Sequence, residues 1–531
     1  MNPIEFSRRG FIGGAVATAV LSSARQQSVL SAAEDASRFQ LYWGDLHNHN
    51  AVGYAKGSLA RSIDLARAHL DFFAFTGHAS WHDMPKMPGD RHMKWVNGFE
   101  VHSNHWAKTR KMIHEANTDD FAAFLGYEWH SSQFGDYCVI FPGDDRELYL
   151  PNHADKLLDF AESEQALAIP HHVGYKQGWR GANFAHFRPG VSPVVEIFSE
   201  HGCTESDRAP YPFIRHSMSG RSTANTVVPQ LQQGLRFGFI ASSDNHRGYP
   251  GAYGEGVLGV WAKELTRESL FQAIRDRRTY AATGDRIALE FAINGHAMGS
   301  EIPATADRQI DIRVEGQDSI AMIELIRNGQ VIQRHFPEDQ QLGPTKLPGN
   351  AKCRIQYGWG PWGALDLGST CLWDMTIKLD GGRFRHAIPC FQSGPYEEHL
   401  RDKLRVVSEK EIHLESNTSR VGCYAEDPTK ALVLELSGQG DSVLSIHLRS
   451  PTEQVVRAKL ADLIDDNVVT FTGVFTSESY IISRLVGPSE YSATVRWQDP
   501  RPKSDSSDWY YVRVTQHNGQ LAWSSPIWVE A

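Results

Sequence analysis

Between residues 39 and 285 short apolar runs alternate with stretches of helical periodicity. The runs FQLYWGDLH (39–47), LDFFAFTGH (70–78), FAAFLGYEWH (121–130), DYCVIFPG (136–143), LAIPHH (167–172), VVEIFSE (194–200) and FGFIASSDNH (237–246) predict buried strands. Between several of them the period changes. SLARSIDLARAH (58–69), with the next residue, sets Leu59, Ile63, Ala66 and Leu70 on one side of a helix, and LTRESLFQAIRDRR (265–278) predicts a second helix capped by Thr266. Strands alternating with helices imply a parallel α/β architecture, open or closed as a barrel.

Past residue 286 the pattern becomes strict alternation. RQIDIRVEG (308–316), LVLELSG (432–438), SVLSIHL (442–448) and YYVRVTQHNGQLAWSSPIWV (510–529) read as antiparallel strands, and Asn328-Gly329 between two alternating runs predicts a tight hairpin. The 286–531 region is expected to be one β-sandwich with insertions or two smaller β modules. Residues 337–366, rich in Pro and Gly, are expected to form a long loop.

The 531 residues are 41% hydrophobic and 22% charged, the balance of a globular chain too long for one ordinary core. A net charge of -10 without charge blocks argues against a nucleic-acid partner and an anionic membrane surface. Arg8-Arg9 before the short apolar run Phe11–Leu21, with small residues near Ala33, has the layout of a signal peptide and resembles a twin-arginine signal. Residues 1–33 are therefore expected to be removed, with a periplasmic or secreted destination for the mature chain and no stable membrane insertion. That loss of three arginines and one glutamate takes the charge from -10 to -12. The six cysteines contain no C-x-x-C; in an oxidising compartment a pair among Cys353, Cys371, Cys390 and Cys423 could bridge, or all six stay free.

Seventeen of the 24 histidines lie between residues 47 and 246, which points to that half for metal chemistry. The apolar runs end on or near ligand-type groups: His47 and His49, His78, Glu128 and His130, His171 and His172, Glu196, Asp244 and His246. Parallel α/β folds gather strand carboxyl ends at one face. Residues two apart on a strand point the same way, so His47 with His49, and Asp244 with His246, can share an ion. A His/Asp/Glu set suits zinc, manganese or iron with open positions, and a bridging carboxylate such as Glu128 could hold two ions about 3.5–4 Å apart that activate water.

The ordered motifs DLHNHN, FFAFTGH, GYEWH, IPHH and SSDNH, over roughly residues 40–250, resemble those of the PHP (polymerase and histidinol phosphatase) metallohydrolase superfamily. The following RRTYAATGDRIALEFAINGHAMGSEI resembles the branch with a C-terminal β domain that includes carbaryl-hydrolase-like enzymes. The resemblance implies a distorted (β/α)7 barrel over residues 40–285, two or three divalent metal ions, and hydrolysis, most often of phosphoesters. It implies His47, His49, Glu128 and Asp244 as ligands of a first ion, Glu128, His171 and Asp136 of a second, and His78 and His246 of a third. Glu128, Asp244 and His246 would carry the catalysis, His246 by moving protons. His130, His172 and Glu196 match weakly, as groups that orient ligands. Tyr54 and Gly77 depart from the pattern where relatives supply ligands, which leaves the third ion two neutral imidazoles.

Lys176 and Arg180, in GYKQGWRG beyond His171, are candidate contacts for an anionic small-molecule or glycan-linked substrate. His82 and His92, with Trp81, Trp129 and Trp179, are candidates for the same face. The expected activity is that of an exported phosphoesterase. A carbamate, amide or carboxylic-ester hydrolase on the same metals, or a carbohydrate or cell-surface binding protein with a degenerate barrel, are the alternatives.

Overall fold

A computed structural model describes residues 39–211, 220–337, 350–359, 370–392, 398–419, 429–501 and 506–531. The expected signal segment 1–33 and Cys423 lie outside them. The chain is a mixed α/β protein with many strands and few helices.

The first half contains β1 (Gln40–Asp45), α1 (Leu59–His69), β2 (Phe72–Ala74), β3 (His78–Trp81), α2 (Met93–Ala116), β4 (Ala122–Phe124) and β5 (Gly126–His130). It continues through β6 (Tyr137–Ile140), α3 (Ala154–Ser163), β7 (Leu167–Pro170), β8 (Val194–Ser199), β9 (Gly202–Cys203), α4 (Val227–Gln232), β10 (Gly238–Ala241), β11 (Val257–Ala262), α5 (Arg267–Arg275) and β12 (Thr279–Ala282). Thr266 caps α5 as expected, its side chain accepting from Ser269 N, and the Ser58 side chain caps α1 in the same way by accepting from Arg61 N. β2, β4, β5, β6, β7, β8 and β10 are buried along their whole length, which explains their unbroken apolar runs.

The strands form three ladders: β4-β2-β1-β11-β12, β3-β5-β6-β7 and β10-β8-β9. Tyr42, Phe72, Phe124, Cys138, Ile169, Val194, Ile240 and Leu258 belong to one core, closed by Leu270 and Phe271 of α5. The ladders therefore surround a common interior. They do not make an uninterrupted parallel ring, because β6 is antiparallel to both neighbours and β11 is antiparallel to β1. The break between β2 and β3 falls at Gly77, where a Cβ would come within 2.5 Å of the Val52 carbonyl oxygen. Beyond the break His78 pairs with Glu128.

The β region is two modules, one nested in the other. Its inner part is a pair of five-stranded sheets over residues 351–482. Ile355, Tyr357, Trp373, Leu434 and Ile446 pack between them, together with Leu65, Tyr249 and Ala252 of the first half. Part of the expected 337–366 loop is a central strand here, Ala351–Trp359, since its alternating KCRIQY carries the core side chains Cys353, Ile355 and Tyr357. The outer module does not stay separate from the first half. β12 pairs with Leu521–Ser524, and Asp508–Gln516, Ile320–Arg327 and Gln330–His335 extend the same sheet past residue 285. The hairpin turn is as predicted, with Asn328 and Gly329 at φ 51° and 79° and Arg327 paired with Gln330. Cys138, Cys203, Cys353, Cys371 and Cys390 are free, so no disulfide forms among the described residues.

Candidate metal centre

The centre is built where β1 and β10 end side by side. Asp45 is an anchor of this junction. Its buried carboxylate accepts from His47 N, Ser243 Oγ and Gly251 N, and burial pushes its pKa up to about 6. Asn48 donates from its amide to Ala74 O, while its own backbone bridges Asn245. With the Asn48 side chain turned to Ala74 of β2, His47 and His49 present their rings to the cluster. Asp244 donates its N–H to His47 O at 2.7 Å and sits at φ 53°, a left-handed conformation that costs a non-glycine residue energy and recurs at functional sites. His172 (φ 32°) and Arg180 (φ 70°) share that strain nearby.

Glu128 and Asp244 are the two hubs. Glu128 Oε1 lies 2.8 Å from His171 Nε2 and 3.0 Å from His130 Nε2; its Oε2 lies 3.2 Å from His78 Nε2 and 3.5 Å from His49 Nε2. Asp244 Oδ1 lies 2.8 Å from His49 Nε2 and 3.2 Å from His47 Nε2, and its Oδ2 lies 3.0 Å from His201 Nε2. His47 is held from behind by Glu196, Nδ1 to Oε2 at 3.0 Å, and His246 by Glu200, Nδ1 to Oε1 at 2.9 Å. These are the outer contacts that fix ring orientation in metal sites.

Burial raises both hub carboxyls, but the surrounding imidazoles outweigh it: His130 and His78 hold Glu128, and His47 and His201 hold Asp244, well below the usual carboxylate range. Burial and the charge of His246 push His49 down to about 3, and His78 is pushed well below the ordinary value by burial and by His49. His246 is raised to about 9, since its bond to Glu200 and the Asp244 charge overcome desolvation.

A divalent ion fits this set. His47 Nε2, His49 Nδ1, His78 Nδ1, Glu128 Oε2 and Glu196 Oε1 are buried without a hydrogen-bond partner, a costly state for so many polar atoms. Several stand between 3.2 and 3.9 Å from another ligand atom without hydrogen-bond alignment. Ligands about 2.0–2.2 Å from one tetrahedral ion are separated by similar distances. Triplets such as His47, His49, Asp244 and His78, Glu128, His130 have ligand atoms within 4.8 Å of one another.

Of the residues singled out in the sequence, His47, His49, His78, Glu128, His171, Asp244 and His246 are together. His130, Glu196 and His172 adjoin them. Asp136 also has an oxygen within 4.8 Å of ligand atoms of Glu128, His171 and His172, while its Oδ2 accepts from Arg180 Nε and Nη2 at 2.9 and 2.6 Å and its Oδ1 from Ser131 N. Arg180 is thus not displayed to a substrate: it is buried, paired with Asp136, and lies over the Trp81 ring. Lys176 is exposed on the loop beyond β7 and makes no ion pair with the cluster among the described residues. His82 and Trp179 are also exposed, and Trp129 is core, its indole donating to Pro151 O.

Tyr54 covers the third position. Its ring lies over His78 at 3.9 Å between centroids, tilted by 32°, and its hydroxyl lies 3.4 Å from His246 Nε2. Gly98 of α2 permits this placement, because a Cβ there would meet Tyr54 at 2.6 Å. Sequence reasoning missed His201, Glu200 and Cys138. His201 directly follows the strand run ending at Glu200, the same strand-end signal that marked the other ligands. Cys138 was hidden inside an apolar run.

Fold and site together define a mixed α/β protein with a buried His/carboxylate centre suited to divalent metal. A family described as "Protein of unknown function (DUF3604)" matches residues 251–309, which begin beyond His246 and contain none of the cluster. An uncharacterized protein of Chlamydia trachomatis is 28% identical over 330 residues, covering 56% of this chain and 49% of the relative; one of Chlamydia muridarum is 27% identical over the same length and shares. A Chlamydia pneumoniae protein is 32% identical over 202 residues, 35% of this chain and 32% of its own. The chain spans about half the length of the first two relatives it matches. Among solved structures, a two-domain protein from Bacteroides vulgatus, described as containing a predicted PHP-like metal-dependent phosphoesterase, is similar at 14% identity and a TM-score of 0.33, over 54% of this chain and 80% of that one. At that level the likeness carries no residue-by-residue correspondence.

Proposed function

We propose that the protein is a metal-dependent hydrolase of PHP type, with the first half a distorted (β/α)7 barrel, acting on phosphoesters of small or glycan-linked anionic molecules. The observation that carries this reading is the pair of buried carboxylates, Glu128 and Asp244, ringed by seven imidazoles, with His47 Nε2 and Glu128 Oε2 among the buried atoms that lack a hydrogen-bond partner. Divalent ions bound there would supply Lewis acidity and an activated water. The chain's own groups bind and orient. Glu128 spans the two sides of the cluster, one oxygen toward His171 and His130, the other toward His49 and His78. Asp244 ties His47 and His49 to His201. Glu196 and Glu200 fix the tautomers of His47 and His246.

His246 is the most accessible ring of the cluster, with 26% of its side chain exposed against 4% or less for the others in contact with the hubs. Paired with Glu200, it is the group that hands a proton to a leaving oxygen at this mouth. Export by the twin-arginine route, supported by Arg8-Arg9, belongs to the same reading, because that route carries folded, metal-loaded proteins. The test is a panel of phosphomonoesters, phosphodiesters, carboxylic esters and carbamates, each with manganese or zinc. Turnover of the phosphoesters, lost on chelation and regained with metal, is expected. Turnover of the carbamates or carboxylic esters alone would replace the phosphoester assignment, and metal-independence would remove the whole reading.

A further inference from the structure

The side of the centre around His171 holds a residue that no motif indicated. Cys138 on β6 stands in register opposite Glu128 on β5, so the two side chains leave paired strands on the same face. The thiol is buried, 2% exposed. Its Sγ lies 3.7 Å from His171 Nδ1, and ligand atoms of His47, Cys138 and His171 fall within 4.8 Å of one another.

A buried cysteine is by default a small apolar filler. Cys353 fits that description, with its thiol against the Ser483 carbonyl in the sandwich. Cys138 differs in its neighbours. His47 is anchored through Nδ1 on Glu196, which turns its Nε2 inward, where the side chain is only 2% exposed and that nitrogen has no hydrogen-bond partner. Glu128 Oε2 beside it is equally unpartnered. Asp136, the other candidate of the same strand run, has both oxygens committed to Arg180 and Ser131.

We propose that Cys138 is a thiolate ligand of a metal ion shared with His47 and His171, beside Glu128. The proposal rests on the metal-centre reading above. As an ion binds, the thiol proton leaves to solvent and sulfur supplies a third kind of donor beside imidazole nitrogen and carboxylate oxygen. A thiolate with two imidazoles favours zinc, cobalt or iron(II) over manganese and magnesium, which prefer oxygen ligands. Cys138 therefore sets which metal this position accepts. The competing geometry leaves the ion on His171 Nε2 and has the thiol only hydrogen-bond Nδ1; Cys138 would then position His171 without touching the ion.

Cobalt(II) separates the two. Metal-free full-length protein is titrated with cobalt(II) and its absorption spectrum recorded, without any assay of activity. Direct ligation predicts visible d–d bands together with a near-ultraviolet sulfur-to-cobalt charge-transfer band. Cys138→Ser is expected to lose the charge-transfer band, keep the d–d bands, and lose the preference for zinc over manganese in competition. Cobalt d–d bands without charge transfer in the wild type would overturn the thiolate assignment and leave the metal centre standing. A charge-transfer band that survives in Cys138→Ser comes from another thiol and overturns it as well. No cobalt retained at all would overturn both readings. The wild-type spectrum decides the matter even if the variant fails to fold.

Discussion

Buried charge is handled in opposite ways at two places in this molecule. Where the nested sandwich meets the first half, the buried carboxylates Asp402 and Asp285 are both paired with a cation. Asp402 accepts from Lys430 Nζ at 2.7 and 2.9 Å, from the Tyr249 hydroxyl and from Ser416 Oγ. Asp285 accepts two bonds from Arg354 at 2.8 Å and one each from Gln516, Asn518 and the Tyr253 hydroxyl. At the metal centre, carboxylates and imidazoles crowd together and leave inward atoms without partners. Satisfied buried charge fixes how modules meet; unsatisfied buried charge, held by a strained and rigid backbone, waits for a ligand. Tyr249 joins the two, since it follows His246 by three residues and its ring lies in the sandwich core.

The largest effect expected from testing this contrast is on hydrolysis. Glu128→Gln and Asp244→Asn should each reduce turnover to background, because each removes a negative charge from the ion-binding set. The melting temperature of the metal-free protein should stay within a few degrees of wild type. A variant with near wild-type turnover would remove that residue from the centre.

At the junction the order of effects reverses. Lys430→Met leaves Asp402 buried without its cation, and breaking such a pair costs about 3–5 kcal/mol. Urea denaturation should show this loss, while the protein that remains folded still binds metal. A loss under about 1 kcal/mol would mean that the pair is not buried as described.

Acid should act at the junction in a definite direction. Burial raises Asp285, but Arg354 and the amides outweigh it and hold its pKa below the ordinary 3.8. A depressed carboxyl contributes stability that is fully present above the unfolded value and is lost as pH falls through the folded one. Unfolding free energy should therefore drop below about pH 4, and Asp285→Asn should flatten that acid limb while lowering stability at neutral pH. An unchanged acid limb in the variant would assign the sensitivity to other carboxyls.

The smallest effect concerns the position between His78 and His246. Two ions should survive dialysis and a third should be weak, because Tyr54 fills the space beside these rings. With His246 raised to about 9, an entering ion must displace its proton. Retention there should rise with pH, by about tenfold per unit below 9 for one proton displaced. Elemental analysis after dialysis at several pH values measures it. Three ions held tightly at low pH would show a ligand set stronger than two imidazoles.

Much of the centre was legible because its ligands sit at the ends of fully buried strands, where a lone His or acid interrupts an apolar run. Cys138 was not, since an apolar run conceals a thiol. The pairing of Arg180 with Asp136 was invisible too: a basic residue on a glycine-rich loop reads as solvent-facing, and only the turn at Arg180 brings it inward. The two early helices and the Asn328-Gly329 hairpin followed from periodicity and turn chemistry. The nesting of one β module in another did not, because alternation marks strands without naming partners. The strand Ala351–Trp359 was masked by the Pro and Gly around it.

The sheet that begins at β4 and ends among the strands of residues 508–529 sets an order of events for synthesis. β12 emerges more than two hundred residues before Leu521–Ser524, its neighbour. Until that partner is made, β12 offers an open edge on the side away from β11. Pairings this distant in sequence are slow to form and leave sticky intermediates exposed. A chain cut short anywhere in the nested sandwich therefore lacks the strand that completes this sheet beside β12.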